Sequence, residues 1–359
     1  MESNFEIEQM IESFERALEG RPNYPIGLIG LAEVVAGRKQ KARAFELCRK
    51  AMMAGAGNAE VAARGRRLLS ALVPQYHVGM MNDARRNAAW SRALDRRIKP
   101  GTRAFEIGTG GGMLALMAAR AGAERVTTCE RDPILATIAR EIAERNGYAD
   151  RIHVIAKPSM EVVVGKDIDG PVDVLFCDIF GNSLLDFEPL KALTDARRRL
   201  TKPDAIVIPA AGSIRVALAQ WAGYPVCGHI DRSAGFDIAP FADFVPPSMQ
   251  LAIGDPGLAL RSESVEALRF DFSALTQPAD GRTEIILAAT DAAVVNGIVH
   301  WIRLELDSET FLEARPQAGA TFFSSARFWP LPDSLAMRRD QVLCVCLAHE
   351  ESRLVIWPA

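Results

Sequence analysis

The sequence predicts a three-part protein with a helical N-terminal region, a doubly wound α/β domain and an all-β C-terminal region. Apolar residues recur every three or four positions over residues 5–72, which is the period of amphipathic helices. Short apolar strands alternate with helical stretches through residues 75–212, as in a sheet covered by helices on both faces. After Ala211 the strands are separated by Asn, Gly, Pro and Asp, so residues 213–359 are predicted to form a β-barrel-like sheet.

The N-terminal part, residues 1–74, carries a weak internal repeat. A shift of 34 residues aligns "ALEGRPN" (17–23) with "AMMAGAG" (51–57), and this shift is the tetratricopeptide period. In that frame the packing positions are Leu28, Leu31, Ala32, Val35, Ala44, Cys48, Ala51 and Ala56. The region therefore resembles one full tetratricopeptide repeat with a partial one before it, which would dock a partner. The alternative is a plain helical hairpin that caps the next domain.

Strands and helices alternate through the α/β domain. The predicted strands are "TRAFEIG", "RVTTCE", "IHVIA", "VDVLFCDIF" and "AIVIPA", and the predicted helices cover 85–97, 112–122, 133–146 and 188–200. The C-terminal strands are "SIRVALAQW", "ALRFDFSAL", "TEIILAA", "NGIVHWIRLELD", "QVLCVCLA" and "SRLVIW". A long insertion within residues 223–248 interrupts them, and its phenylalanines indicate an interaction element rather than disorder.

Composition excludes several classes of protein. The chain has 359 residues, 49% hydrophobic and 24% charged, with a formal net charge of −3. This charge gives no overall attraction for nucleic acid or for an anionic membrane. The N-terminus lacks a signal-peptide pattern, and no apolar run approaches the roughly 18 residues of a membrane helix. We therefore expect a cytoplasmic protein.

Six scattered cysteines include no CxxC pair. Cys344 and Cys346 share one face of a predicted strand, which is weak support for a metal site. The expectation is reduced packing cysteines and no bound metal.

A glycine-rich turn follows the first strand of the α/β domain. Its glycines are Gly108, Gly110, Gly111 and Gly112. Glycines at this place let the backbone approach a ligand closely and turn directly into a helix. A dinucleotide site needs G-x-G-x-x-G, whose third glycine would fall where Met113 stands. With Glu106 placed two residues before the first glycine, the pattern E-x-G-x-G-x-G resembles the first motif of class I S-adenosylmethionine-dependent methyltransferases.

A second acid, Glu130, ends the next predicted strand. A carboxylate there can accept hydrogen bonds from both hydroxyls of a ribose. Dinucleotide enzymes also use such an acid, so Glu130 supports an adenosine ligand without choosing between the classes. The glycine spacing favours S-adenosylmethionine in a Rossmann-like methyltransferase domain over a nicotinamide or flavin cofactor, and over a tight turn with no ligand.

The segment "YHVGMMNDARRNAAW" (Tyr76–Trp90) resembles the pre-core helix of protein arginine methyltransferases, with its H-x-x-M-L-x-D-x-x-R-[TN] pattern. The matching letters are His77, Met80, Met81, Asp83, Arg86 and Asn87. "GFDIAPF" (235–241) and "NGIVHWIRLELD" (296–307) also resemble the barrel domain of that family. The resemblance covers roughly residues 75–359 in the order of the family's domains. The repeat-like N-terminal region places the chain nearest the branch that carries such repeats.

This resemblance implies roles for individual residues. Arg86 would bind the methionine carboxylate of the cofactor, a pairing that suits a guanidinium. Met80 would pack against the sulfonium end, and His77 would line the reaction centre. In the turn "AKPSMEV", Ser159 or Met160 would contact adenine. The other implied cofactor-binding residues are Glu106, Gly108, Thr109, Gly110, Gly112, Met113 and Glu130.

The family's acceptor site is a hairpin with two glutamates nine residues apart. A guanidinium stays protonated, so its nitrogens are poor nucleophiles until carboxylates orient it and localise its charge. Here Asp178 takes the first position, and Phe187 stands where the second glutamate is expected. Asp186 and Glu188 flank Phe187, and Glu188 is favoured for its reach. In the alternative interpretation Asp178 only caps the strand end, and the other two acids are solvated.

The family's threonine–histidine–tryptophan loop has its nearest counterpart in "SSARFWP", where Arg327-Phe328-Trp329 replaces the triplet. Trp329 would either wall the acceptor pocket or pack in the core. His300-Trp301 has two of the expected letters, but it lies inside a predicted strand, so packing is favoured.

The leading hypothesis is methyl transfer from S-adenosylmethionine to a guanidinium, in a protein, a peptide or free arginine. The alternatives are a small-molecule methyltransferase of different specificity and a catalytically degenerate scaffold. By resemblance, the insertion within 223–248 would be a dimerisation arm, with Phe236, Phe241 and Phe244 against the cofactor domain of a second copy. A homodimer is therefore expected, with no nucleic-acid or membrane partner.

Overall fold

The computed structural model of the chain describes residues 2–181, 183–185, 188–224, 230–252, 254–274, 280–316, 326–350 and 353–359, and for residues 2–6 the backbone alone. Its first part is helical, as predicted: α1 (Glu2–Glu19), α2 (Pro25–Gly37), α3 (Lys41–Ala54) and α4 (Ala59–Leu72). The helices bury their own apolar core. All the packing positions of the repeat frame are buried except Ala56, which is exposed.

The second part alternates helices and strands in the predicted order. It contains α5 (Tyr76–Asn82), α6 (Ala84–Arg97), β1 (Arg103–Ile107), α7 (Met113–Arg120), β2 (Arg125–Cys129), α8 (Pro133–Arg145), β3 (Ile152–Ile155), β4 (Val172–Cys177), α9 (Pro189–Arg199) and β5 (Thr201–Ile208). The strands form one parallel sheet in the order β3-β2-β1-β4-β5. The order reverses between β1 and β4, and ligands of such sheets bind in the crevice outside the carboxyl ends at that point.

The third part is made of antiparallel strands. They are β6 (Ala211–Trp221), β7 (Arg232–Ser233), β8 (Phe236–Asp237), β9 (Met249–Gln250), β10 (Leu258–Leu260), β11 (Val265–Asp271), β12 (Gly281–Ala288), β13 (Ala293–Glu305), β14 (Phe311–Glu313), β15 (Arg327–Met337), β16 (Val342–Glu350) and β17 (Arg353–Pro358). One sheet has the order β10-β6-β13-β15-β9, with β11 on β6 and β14 on β13, and a second has the order β12-β16-β17. Strands β7 and β8 pair with each other.

Strand β15 was missed by the sequence analysis, which treated "SSARFWP" as a loop. Pro330 and Pro332 weaken the strand pattern, because proline cannot donate to a sheet ladder. Pro330 pairs with Gly297, next to an irregularity in the register between Val295 and Gly297 on β13. A proline is tolerated at such a bulge, so the strand continues through it.

An ion pair fastens the second part to the third. Arg96 Nε donates to Asp307 Oδ2 at 2.9 Å, and Arg96 Nη2 donates to Asp307 Oδ1 at 3.0 Å. Burial opposes ionisation of Asp307, but hydrogen bonds from Arg96 and from the backbone N–H groups of Glu309 and Thr310 outweigh it and lower the pKa of that carboxyl. The contact ties α6, the helix that carries Arg86, to the end of β13.

Within the described ranges, no helix has both the length and the apolar character that a membrane crossing requires. The same ranges contain no group of three or more His, Cys, Asp or Glu side chains placed to hold a metal ion. Cys344 and Cys346 are free, and Cys346 Sγ lies 3.4 Å from Arg282 Nη2.

Candidate active site

The glycine turn links β1 to α7 at the reversal point of the sheet. Gly108, Gly110 and Gly112 have φ angles of 75°, 51° and 80°, in the left-handed region that favours glycine. A Cβ added to Gly108 would lie 2.6 Å from Ile179 Cγ2. The backbone N–H groups of Gly108 and Thr109 donate to the carbonyl oxygen of Cys129 at 3.0 and 3.1 Å. The turn is thus held close to the end of β2.

Glu130 follows β2 and holds the turn from the other side. Its Oε2 accepts from the Gly110 backbone N–H at 3.0 Å, and its Oε1 accepts from the Asp132 backbone N–H at 2.9 Å. The side chain is buried. Each carboxylate oxygen has a second lone pair, so these bonds leave acceptor capacity for the hydroxyls of a ribose.

Glu106 lies under the turn and is fully enclosed, with 1% of its surface exposed. Its Oε2 accepts from Thr109 Oγ1 at 2.7 Å and from Thr128 Oγ1 at 2.6 Å. Burial raises the pKa of Glu106 to about 7, although the two hydroxyl donors and Arg86 oppose that shift. This carboxyl can therefore gain or lose a proton near neutral pH.

Helix α5 covers the glycine turn. The Sδ atom of Met81 would lie 2.6 Å from a Cβ added to Gly111, and the ring of His77 would lie 3.2 Å from one added to Gly110. His77 is buried, and its Nδ1 makes no hydrogen bond with the part of the chain that the structure describes. Burial lowers the pKa of His77, against the opposing charges of Glu130 and Asp132. The glycines are needed here because α5 packs directly on them.

A buried ion pair joins α6 to the end of β4. Arg86 donates from Nε and Nη2 to the same oxygen, Asp178 Oδ2, at 2.7 and 2.5 Å. The two side chains are 3% and 8% exposed. The pair brings together the cation predicted for the cofactor and the carboxylate predicted for the acceptor.

A cavity of about 20 Å³ separates this ion pair from the glycine turn. Its walls are Arg86, Asp178, Glu106, Met80, Met81 and Met113, the turn itself and Leu114. The donor set is a guanidinium for a carboxylate, carboxylates for cationic groups and methionines for an apolar sulfur or methyl. The chemistry of this set suits the amino-acid tail of an S-adenosyl compound, and the crowded glycines suit the close approach that the sequence predicts. A volume of about 20 Å³ holds about one water molecule, so these side chains must move to admit the tail.

The predicted adenine contacts lie at the same edge of the sheet, after β3. Ser159 is buried and begins a 3₁₀ turn, Ser159–Glu161. Met160 is 55% exposed, so its side chain has free surface for a planar ring. Neither residue lines the small cavity. His77 also lies outside the cavity, against the turn on the side of Glu130.

The second carboxylate predicted for the acceptor site has two candidates, and of these the structure describes Glu188. Glu188 is exposed, and its Oε1 bonds Lys191 Nζ at 2.7 Å. The residue directly precedes α9 and has a left-handed φ of 56°. The structure therefore does not bring Glu188 to Asp178. Asp186 and Phe187 lie outside the described residues.

The histidine and tryptophans considered for the family's loop, His300, Trp301 and Trp329, lie in the core of the β-sheet. His300 and Trp301 are fully buried in β13, as packing residues are. Trp329 Nε1 donates to His300 Nδ1 at 2.7 Å, and Trp329 is itself buried. Arg327 Nε donates to Ser248 Oγ at 3.0 Å. None of these side chains reaches the cavity between Arg86 and the turn, so Trp329 packs rather than walls that cavity.

Three contributors were not assigned a role from the sequence. Thr128 holds Glu106, Met81 covers Gly111, and Asn87 bonds both Arg86 and the Met81 carbonyl oxygen. Met81 and Asn87 were letters of the pre-core motif without a function. Thr128 stands two residues before Glu130 in the sequence. Its place in the buried strand β2 was the only signal that could have indicated its role.

Comparison with known proteins places these features in a wider group. Residues 91–214 match the family profile described as ribosomal protein L11 methyltransferase (PrmA). An arginine N(omega)-methyltransferase of Streptomyces achromogenes subsp. streptozoticus is 34% identical over 285 residues, covering 79% of this chain and 78% of that protein. Protein arginine N-methyltransferase 7 of Drosophila grimshawi is 28% identical over 280 residues, covering 73% of this chain and 38% of that protein.

Solved structures with a similar fold include the Trypanosoma brucei PRMT1 enzyme–prozyme heterotetrameric complex with AdoHcy. It has a TM-score of 0.70 and 21% identity, covering 79% of this chain and 91% of that chain. Arabidopsis thaliana protein arginine methyltransferase 10 has a TM-score of 0.63 and 17% identity, covering 75% and 86%. At these identities the likeness shows a shared fold.

Proposed function

Since this chain belongs to the arginine N-methyltransferase family, we propose that it transfers the methyl group of S-adenosylmethionine to a guanidinium nitrogen of arginine. One observation carries the proposal. Arg86 and Asp178 form a buried pair beside the glycine turn, so a cation for the cofactor and a carboxylate for the acceptor meet in one cavity. The arginine methyltransferase family predicted from the sequence is confirmed by the relative that is 34% identical over 79% of this chain.

The residues around the turn would hold the cofactor along its length. Arg86 would bind the methionine carboxylate through paired N–H donors. Glu130 would accept from the ribose hydroxyls, and the glycines Gly108, Gly110 and Gly112 would let the backbone approach the adenosyl group. Met80 and Met113 would pack beside the sulfonium. At the far end Ser159 and Met160 would contact adenine.

Bound S-adenosylmethionine supplies an electrophilic methyl group on a sulfonium, so the protein has only to position the acceptor. Asp178 would grip the acceptor guanidinium and concentrate its positive charge on the nitrogens nearest the carboxylate. Electrostatic stabilisation of this kind acts strongly in a buried site. Asp178 and Arg86 are both nearly enclosed, which supports that role.

The second carboxylate is proposed to be Glu188. Its contact with Lys191 is solvent-exposed, and exposed ion pairs contribute about 1 kcal/mol or less. An acceptor guanidinium that replaces Lys191 would therefore meet little resistance. Asp186 is the neighbouring candidate. His77 would support the cofactor from α5, where it lies against Gly110.

The wider organisation is also part of the proposal. Residues 1–74 form a tetratricopeptide-like docking region, 75–212 the methyltransferase domain and 213–359 a β-barrel-like domain. The segment near 223–248 is a dimerisation arm of a cytoplasmic homodimer. The exposure of Phe236, Phe241 and Phe244 supports that arm, because each is more than half accessible.

Purified protein incubated with methyl-labelled S-adenosylmethionine tests the function. L-Arginine and an arginine-containing peptide are offered as separate acceptors, and methylarginine is identified by amino-acid analysis after hydrolysis. We expect label in methylarginine from at least one of the two, and none with the Arg86→Met variant. Cofactor binding without methylation of either guanidine would contradict the proposal.

A further inference from the structure

We propose that Asn87 is a positioning residue that fixes the Arg86 guanidinium at the carboxylate end of the cofactor site and couples it to helix α5. The inference rests on the proposed function, because it concerns how the S-adenosyl compound is held. It adds a residue to which the sequence pattern gave no role.

The side-chain amide of Asn87 makes two hydrogen bonds with different partners. Its Oδ1 accepts from Arg86 Nη1 at 2.8 Å, and its Nδ2 donates to the Met81 carbonyl oxygen at 2.8 Å. Both distances are ideal for such bonds. An amide is suited to this place because it accepts on one side and donates on the other in a fixed plane.

The bond to Arg86 differs in kind from the others that Arg86 makes. Nε and Nη2 both point to Asp178 Oδ2, an anion with which a cofactor carboxylate would compete. Asn87 is neutral and sits on the same helix as Arg86, in the adjacent position. Its hold on Nη1 therefore stays the same whether Arg86 faces Asp178 or a bound carboxylate. Fewer orientations of the guanidinium remain to be restricted on binding, which favours affinity.

The bond to Met81 extends this hold to the helix above the glycine turn. Met81 belongs to α5, and its Sδ atom packs on Gly111. The N-cap of α6 supports the same junction, because Asp83 Oδ1 accepts from the Arg86 backbone N–H at 2.9 Å. Asn87 thus joins the residue that would bind the carboxylate to the helix that covers the turn.

Two ligands that differ only in the amino-acid tail test the proposal. S-Adenosylhomocysteine carries the carboxylate, and 5′-methylthioadenosine lacks it. Affinities of both are measured by isothermal titration calorimetry for the wild type, Asn87→Leu, Asn87→Thr and Arg86→Met. Leucine keeps the branched shape and the number of non-hydrogen atoms of asparagine without its polar atoms. Threonine keeps a donor and an acceptor with a shorter reach.

We expect Asn87→Leu to lower the affinity for S-adenosylhomocysteine about tenfold or more, because a hydrogen bond to a charged group is lost. The affinity for 5′-methylthioadenosine should stay within about twofold, since that ligand does not contact Arg86. Asn87→Thr should recover most of the loss, and Arg86→Met should show the largest selective loss. Thermal unfolding followed by circular dichroism confirms that each variant is folded. If Asn87→Leu does not fold, Asn87→Ala takes its place.

If Asn87→Leu loses affinity for both ligands equally, Asn87 only supports the fold, and this result would overturn the inference. Unchanged affinity for S-adenosylhomocysteine in Asn87→Leu would overturn it as well, while the wild-type binding leaves the proposed function standing. Wild-type protein that binds neither ligand would contradict the proposed function itself. The three failures are therefore distinguishable.

Discussion

The cofactor end and the acceptor end of the site lie on the same edge of the parallel sheet but are completed to different degrees. At the cofactor end, Glu106 and Glu130 are buried and bonded to the glycine turn and its neighbours. At the acceptor end, Asp178 is buried on Arg86, and Glu188 is exposed on Lys191. The cofactor end is thus preorganised by its own contacts. At the acceptor end, the charge of Asp178 is balanced by Arg86, which is the residue proposed to bind the cofactor. The difference indicates that the acceptor end depends on the state of the cofactor end.

The largest effect should come from Asp178, where the two ends meet. We expect Asp178→Asn to lower methyl transfer by roughly 10²–10³-fold, because the amide removes the charge that orients and polarises the acceptor. Initial rates with labelled cofactor measure the loss. Affinity for S-adenosylhomocysteine should survive, since Arg86 remains in place.

Asp178→Glu is the matched control. It keeps the charge and adds one methylene, so it should retain more activity than Asp178→Asn. An Asp178→Asn variant as active as the wild type would show that the acceptor is gripped elsewhere.

The next largest effect is a pH dependence of stability at Glu106, the buried acid of the cofactor end. Glu188, at the acceptor end, is exposed. The folded-state pKa of Glu106 is raised to about 7 from 4.5, so the folded protein holds this proton more tightly than the unfolded chain. Glu106 therefore contributes stability at low pH that is lost as the pH rises from about 4.5 to about 7. The full loss is on the order of 3 kcal/mol in the free energy of unfolding.

Urea denaturation at pH 5 and pH 8 measures this loss in the wild type and in Glu106→Gln, which cannot ionise. We expect the wild type to lose more stability than the variant over this interval. The same pH dependence in both proteins would place the titrating group elsewhere.

The smallest effect is expected at Glu188. Because its carboxylate is exposed and its bond to Lys191 is weak, Glu188→Gln should lower the transfer rate by about fivefold or less. Glu284→Gln, which changes another exposed acid of an ion pair, with Arg282 on β12, should leave the rate unchanged. A loss at Glu188 larger than that of Asp178→Asn would reverse the order of the two carboxylates.

Sequence reasoning predicted the glycine turn between β1 and α7 well because its signals are local. Four glycines between a strand and a helix, with acids before and after them, fix a turn whatever the rest of the chain does. The parallel sheet and the N-terminal helices follow from periodicity in the same way. Met113 at the expected third glycine was enough to choose between two ligand classes.

The acceptor end was harder to predict because its contacts are remote in sequence. Asp178 was located by the resemblance of its hairpin to the family's acceptor site, but its partner Arg86 is 92 residues away, and only tertiary packing brings them together. Glu188 is exposed and has a left-handed φ of 56°, which a glutamate rarely adopts, so its sequence carried no signal for this conformation. Asn87 carried no signal beyond its letter in a motif, since its role lies in the geometry of two hydrogen bonds.

We expect Arg86 to hold Asp178 until a cofactor carboxylate binds Arg86. Asp178 is then free to bind the acceptor. Calorimetric titration tests this exchange directly. The titrant is whichever acceptor the protein methylates, L-arginine or the arginyl peptide, and it is added with and without saturating S-adenosylhomocysteine. We expect S-adenosylhomocysteine to tighten acceptor binding about tenfold, a coupling of ordinary size between two sites. Equal affinity in the two titrations, or weaker binding with S-adenosylhomocysteine present, would contradict the account.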